Sequence, residues 1–85
     1  MLKITREVNG EVVIKLSGRM ETENLGELKK LVSAEAADRR VILDLKDLTL
    51  VDQDAVNFLR RCEADSITLK NCPAYIRRWI TGERR

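Results

Sequence analysis

Four aspartates, Asp44, Asp47, Asp52 and Asp54, carry the most concentrated chemistry in this sequence. Carboxylates gathered on loops are what Mg²⁺ or Ca²⁺ requires, so a divalent-cation site is the first chemistry to weigh. The spacing favours a plainer assignment. Asp52 stands where a helical period begins and can accept from a free backbone N–H of the first turn. Asp54 falls within that turn, where the helix dipole favours negative charge. Asp44 and Asp47 read as turn residues, and no metal is expected. The chain has no histidine, which removes the commonest general base and metal ligand. Cys62 and Cys72 lack C-x-x-C spacing and read as reduced thiols packed as small hydrophobes. No Ser/Lys or Cys/His constellation and no phosphate-cradling glycine loop occurs. The sequence points away from catalysis, and it calls for no cofactor.

The elements that position these aspartates are legible around them. Val41-Ile42-Leu43 is a short, β-branched apolar run, continued by Leu45, Leu48, Leu50 and Val51, and reads as a strand buried on both faces. After Asp52-Gln53-Asp54 the period changes: Ala55, Val56, Leu59 and Cys62 recur at helical spacing. A strand, a turn and a helix start rich in negative charge therefore form the centre of the molecule.

Upstream, Leu2 and Ile4 alternate with polar residues, as do Val12, Ile14 and Leu16, around Asn9-Gly10. This predicts a hairpin. A three-residue loop Val8-Asn9-Gly10, with Gly10 left-handed, pairs Ile4 with Ile14 and Leu2 with Leu16 and keeps one apolar face. Ser17-Gly18 ends the second strand. Met20 to Arg39 reads as a helix with Leu25, Leu28, Leu31 and Val32 in one stripe, Thr22 as a cap and Gly26 as a tolerated surface glycine. Downstream, the central helix ends near Glu63 or Ala64 and Ile67-Thr68-Leu69 makes a short strand. Pro73 then opens a last helix at its first position, capped by Asn71 or Cys72. Tyr75, Ile76, Trp79 and Ile80 form its apolar stripe, which is either core or, through Tyr75 and Trp79, an interface.

The segment V-I-L-D-L-K-D-L-T-L-V-D-Q-D-A-V resembles the STAS domain, the module of anti-sigma factor antagonists and of sulfate-transporter tails. That family pattern is a hydrophobic strand ending in Asp, a short loop, and Asp-Ser-Ser-Gly leading into a helix. Asp44 matches the strand aspartate and Asp52 the helix-opening one, while Gln53, Asp54 and Ala55 replace Ser-Ser-Gly. The resemblance implies an α/β fold, a STAS-like mixed sheet of about four strands opening with a β-hairpin, with about three helices, as a single domain over residues 1–85. It implies a non-catalytic protein-interaction domain in bacterial signalling and transcription regulation. The partner would be an anti-sigma factor or related serine-kinase-type ATPase, bound through Asp52, Gln53, Asp54 and Asn57. Asp54 occupies the phosphorylatable serine's position, and a serine kinase cannot phosphorylate it. The switch is therefore expected to be locked, as a weak mimic of the phosphorylated state or by loss of the control. Alternatives are a STAS-like accessory subunit of a lipid-transport ATPase, or a homodimeric scaffold built on the Trp79 stripe.

A chain of 85 residues with net charge +2 from charges of both signs suggests one small domain and no nucleic-acid partner. Arg77, Arg78, Arg84 and Arg85 with Lys70 make a local basic excess, but Glu83 interrupts it and no aromatic platform accompanies it. No apolar run of signal-peptide or membrane-spanning length is present, so a cytoplasmic domain without membrane insertion is expected.

Overall fold

The computed structural model describes residues 2–82. Its elements follow the order β1 (Leu2–Asn9), β2 (Glu11–Met20), α1 (Thr22–Ala36), β3 (Val41–Val51), α2 (Gln53–Ala64), β4 (Thr68–Lys70) and α3 (Ala74–Ile80). The four strands form one sheet in the order β1-β2-β3-β4. β1 and β2 pair antiparallel, whereas β2–β3 and β3–β4 are parallel. Each parallel pair is joined by a helical crossover, and such crossovers are right-handed. Because β2, β3 and β4 step across the sheet in one direction, α1 and α2 fall on the same face. Val12, Ile14 and Leu16 of β2 and Val41, Leu43 and Leu45 of β3 line that face and are buried beneath Leu25, Leu28, Val32, Val56, Leu59 and Cys62 of the helices.

β3 is buried on one face, not on both as its apolar run suggests. Its inward residues are Val41, Leu43, Leu45, Leu48 and Val51. The spacing lengthens from two to three because the pairing with β2 slips between Lys15 and Ser17 and again between Gly18 and Arg19. Each slip adds a β3 residue, as a bulge does, and returns the next leucine or valine to the core. Asp44 and Asp47 accordingly lie in β3 and not in turns. The same slips carry β2 through Ser17-Gly18, where Gly18 takes a left-handed φ of 96°, to the buried Met20.

The hairpin register also differs from the sequence expectation. Ile4 pairs with Leu16 and Leu2 with Gly18, and the connection centres on Gly10 with φ 81°. The even-numbered residues still face the helices. Alternation determines the face, but a slide of two residues preserves it, so turn geometry selects the register.

α1 starts at Thr22 because Met20 belongs to the sheet. Glu21 stands at its cap, with its N–H donated to Asn24 Oδ1 at 2.9 Å. At α3, Pro73 itself occupies the cap position. Asn71 instead makes a left-handed turn with φ 56° and donates its amide to Asp44 Oδ1 at 3.2 Å. Arg84 and Arg85 of the basic excess, and Glu83 that interrupts it, lie outside the described residues.

Candidate functional site

The end of β3 and the first turns of α2 come to the surface beside the start of α1, because both helices begin at the carboxyl ends of adjacent parallel strands. Asp52 joins them. Its Oδ1 accepts from the Ala55 N–H at 2.9 Å and caps α2. Its Oδ2 accepts from the Thr22 N–H at 2.8 Å, so the same carboxylate satisfies a free donor of α1. The backbone adds a third tie, with the Asp52 N–H donating to the Met20 carbonyl at 3.3 Å. The Ala55 N–H is the main influence holding the Asp52 carboxyl below its ordinary value. Burial works against it, and the Thr22 N–H and hydroxyl reinforce it. Asp52 is thus an anion at neutral pH and is consumed structurally.

Asp54 is exposed in the first turn of α2. The Thr22 hydroxyl lies 2.8 Å from Asp54 Oδ2 and 2.9 Å from Asp52 Oδ2. That hydroxyl has one proton for two carboxylates, and it tethers Asp54 toward α1. Gln53 and Asn57 face the opposite neighbour. Gln53 donates to Asn57 Oδ1 at 3.2 Å and accepts from the Trp79 indole at 3.2 Å. Arg60 donates to Asn57 at 3.2 Å and to the Ile80 and Trp79 carbonyls at 2.8 and 3.1 Å, so it closes the end of α3.

The apolar stripe of α3 splits. Ile76 and Ile80 enter the core, while Tyr75 and Trp79 stay 49% and 38% exposed. The Tyr75 hydroxyl donates to the Thr49 carbonyl at 3.1 Å, along the part of β3 that the short β4 leaves unpaired. Tyr75, Trp79, Gln53 and Asn57 thus form one exposed polar-aromatic flank of α2.

On the other flank, α1 and α2 diverge over a groove of about 430 Å³ lined by Thr22, Gly26, Lys29, Asp54, Phe58 and Arg61, with Asn57 on the crest between the two flanks. A second hollow of about 250 Å³ continues it past Val32 and Cys62 to Ile67, sharing Lys29, Phe58 and Arg61. The groove is open, walled by charge and floored by Phe58.

Asp44 and Asp47 do not join Asp52 and Asp54. Burial pushes the Asp44 carboxyl up, but the Lys46 N–H, the Asn71 amide and the Lys70 and Lys15 ammonium groups outweigh it, and the net direction is down. Among the described residues no cluster of three Asp, Glu, Cys or His side chains could hold a metal ion. No described helix is long and apolar enough to cross a membrane.

The strand order, the opening hairpin and the helix start at Asp52 decide the fold. This chain has a SpoIIAA-like fold, which is the STAS, anti-sigma antagonist fold. It is similar to an uncharacterised protein of the DUF3478 family, described as having a SpoIIAA-like fold, from Shewanella loihica, with a TM-score of 0.58 and 15% identity. The match covers 75% of this chain and 56% of that one, so the chain spans about half the length of the protein it matches. No family model and no curated protein matches the sequence.

Within the SpoIIAA-like fold, Asp52, Gln53, Asp54 and Asn57 are brought together on the first two turns of α2. Arg60 and Arg61 join them at helical spacing on α2, whereas Thr22 and Lys29 come from α1, at positions that sequence spacing does not connect. Thr22 reads locally as a cap of its own helix. Only the parallel β2–β3 pairing places it beside α2, and no local signal announces that.

Proposed function

We propose that this chain is a non-catalytic protein-interaction domain of the anti-sigma factor antagonist type, acting in the cytoplasm without a serine phosphorylation switch. The observation that carries this reading is the exposed Asp54 carboxylate, tethered by Thr22 at the helix start where the resembled family carries its phosphorylatable serine. A serine kinase needs a hydroxyl there, and Asp54 offers a carboxylate. A phosphoserine brings nearly two negative charges and three acceptor oxygens, and Asp54 brings one charge on a shorter arm. The partner, an anti-sigma factor or related serine-kinase-type ATPase, would meet Asp54, Gln53 and Asn57 in one charge state only. Asp52 supports this surface by setting the two helix starts and contributes little direct contact.

The test is capture from the native cell extract on immobilised wild type and Asp54→Ser, followed by incubation with Mg-ATP. Both forms are expected to retain an ATPase of the serine-kinase type, and only Asp54→Ser should acquire phosphate. Retention of transporter ATPase subunits by both forms would favour the accessory-subunit assignment and overturn this one. Retention of no ATPase would also overturn it.

A further inference from the structure

The outer edge of β1 is the longest unpaired strand edge among the described residues. β1 runs eight residues, Leu2–Asn9, at the end of the sheet, whereas β4 at the other end has only three. Long exposed edges are templates for pairing with another strand. β1 is also incompletely covered: Leu2 and Ile4 are half-buried on the helix side, and Val8 is 43% exposed. Lys3, Thr5 and Glu7 project from the face that carries no helix. Glu7 lies there beside Lys15, 3.7 Å away in an exposed ion pair.

The sequence of this edge is self-complementary. Two copies pairing antiparallel about a twofold axis must place one residue opposite its own copy. A centre at Arg6 sets two guanidinium groups side by side, and a centre at Ile4 shortens the overlap. A centre at Thr5 sets Lys3 opposite the partner copy's Glu7, twice, on the open face. On the helix face it sets Leu2 opposite the second copy's Val8, twice, and Ile4 opposite the second copy's Arg6, whose guanidinium is held by Glu35 of its own chain. Opposite charges and apolar pairs directly across a ladder are the favourable combinations.

We propose that β1 is a homodimerisation edge, with two copies joined antiparallel at Thr5 so that two four-stranded sheets become one continuous sheet. The contact is mostly backbone pairing and is smaller than the roughly 800 Å² per partner of a standard interface, so the dimer is weak. It uses a surface remote from α2 and α3 and leaves the Asp54 and Trp79 faces free.

Sedimentation equilibrium from micromolar to millimolar protein tests this on wild type, Lys3→Glu, Glu7→Lys and the double exchange. The side chains are exposed, and a melting curve for each variant verifies folding. Wild type is expected to dimerise with rising concentration. Each single reversal should weaken dimerisation by about tenfold, since two symmetric pairs turn from attraction to repulsion at once. The double exchange should restore it. A monomer at every concentration overturns the proposal. So does a dimer insensitive to the reversals, or one abolished by Trp79→Ala, which would locate the contact on α3.

Discussion

The Asp52 carboxylate accepts from Thr22 across thirty positions of sequence, with 2.8 Å between Oδ2 and the Thr22 N–H. Its other oxygen caps α2 at Ala55, so one side chain closes the first turns of two helices. An ordinary N-cap is worth about 1 kcal/mol, and here removal also strands a second helical donor. Asp52→Ala is expected to cost about 2 kcal/mol. In a domain of this size that lowers the melting temperature by about 8–16 °C. A loss no greater than that of a surface Asp→Ala control, such as Asp47→Ala, would show that the two-helix tie contributes nothing.

The same geometry sets an acid limb. Folding holds Asp52 below its ordinary value of 3.8, so between the two values the unfolded chain binds more protons. Its contribution is therefore complete above about pH 4 and is lost as pH falls through the folded value. Asp44 is shifted in the same direction and adds to the slope. Urea midpoints measured from pH 6 to pH 2 should fall steeply for wild type and less steeply for Asp52→Asn. Parallel curves would sink the assignment.

Thr22 gives a way to separate the Asp54 tether from the cap. Thr22→Val removes the hydroxyl shared by Asp52 and Asp54 but keeps the backbone N–H that Asp52 uses. These groups are exposed, so the expected stability loss is small, about 0.5–1 kcal/mol. Asp54 should become rotationally freer, which side-chain carboxyl NMR can follow. A loss as large as that of Asp52→Ala would mean that the hydroxyl, and not the N–H, carries the tie.

Gly26 lies inside α1 on the groove wall, and a Cβ built there meets nothing within 4 Å. Ala at an exposed helix interior is favoured over Gly by about 0.8–1 kcal/mol. Gly26→Ala should therefore raise the melting temperature by about 4–8 °C. An unchanged or lowered value would indicate that α1 needs the glycine for a reason other than space.

The parts of this fold that were legible in the sequence are those governed by period. The apolar alternation of β1 and β2, the helical stripe Ala55-Val56-Leu59-Cys62 and the N-cap at Asp52 each depend on neighbours a few residues apart. What was not legible depends on counts between strands. The two slips opposite Lys15–Ser17 and Gly18–Arg19 leave Leu48 and Val51 inside at intervals of three, which alternation alone reads as burial on both faces. The hairpin slid by two residues because parity does not distinguish Ile14 from Leu16 as the partner of Ile4. At the site, Asp52, Gln53, Asp54 and Asn57 follow from one helix, but Thr22 and Trp79 reach them only through the parallel crossover and the return of α3.

The two cysteines should differ sharply in reactivity. Burial, reinforced by the nearby Asp65 carboxylate, pushes the Cys62 thiol up to about 12, so almost none of it is thiolate at pH 8. Cys72 is only half-buried. Its thiol is also pushed up by burial, with Arg77 pulling it down and Glu63 pushing it up. A thiol reagent at pH 8 should therefore modify Cys72 first in the native protein. Cys62 should react only as the domain opens, because it lies at 3% exposure on the core-facing side of α2. Its rate should then rise with urea in step with the unfolding constant and fall in any stabilised variant such as Gly26→Ala. Equal rates for the two thiols under native conditions would mean that α2 separates from the sheet without global unfolding. In that case the groove beside Phe58 would be a moving surface and not a preformed one.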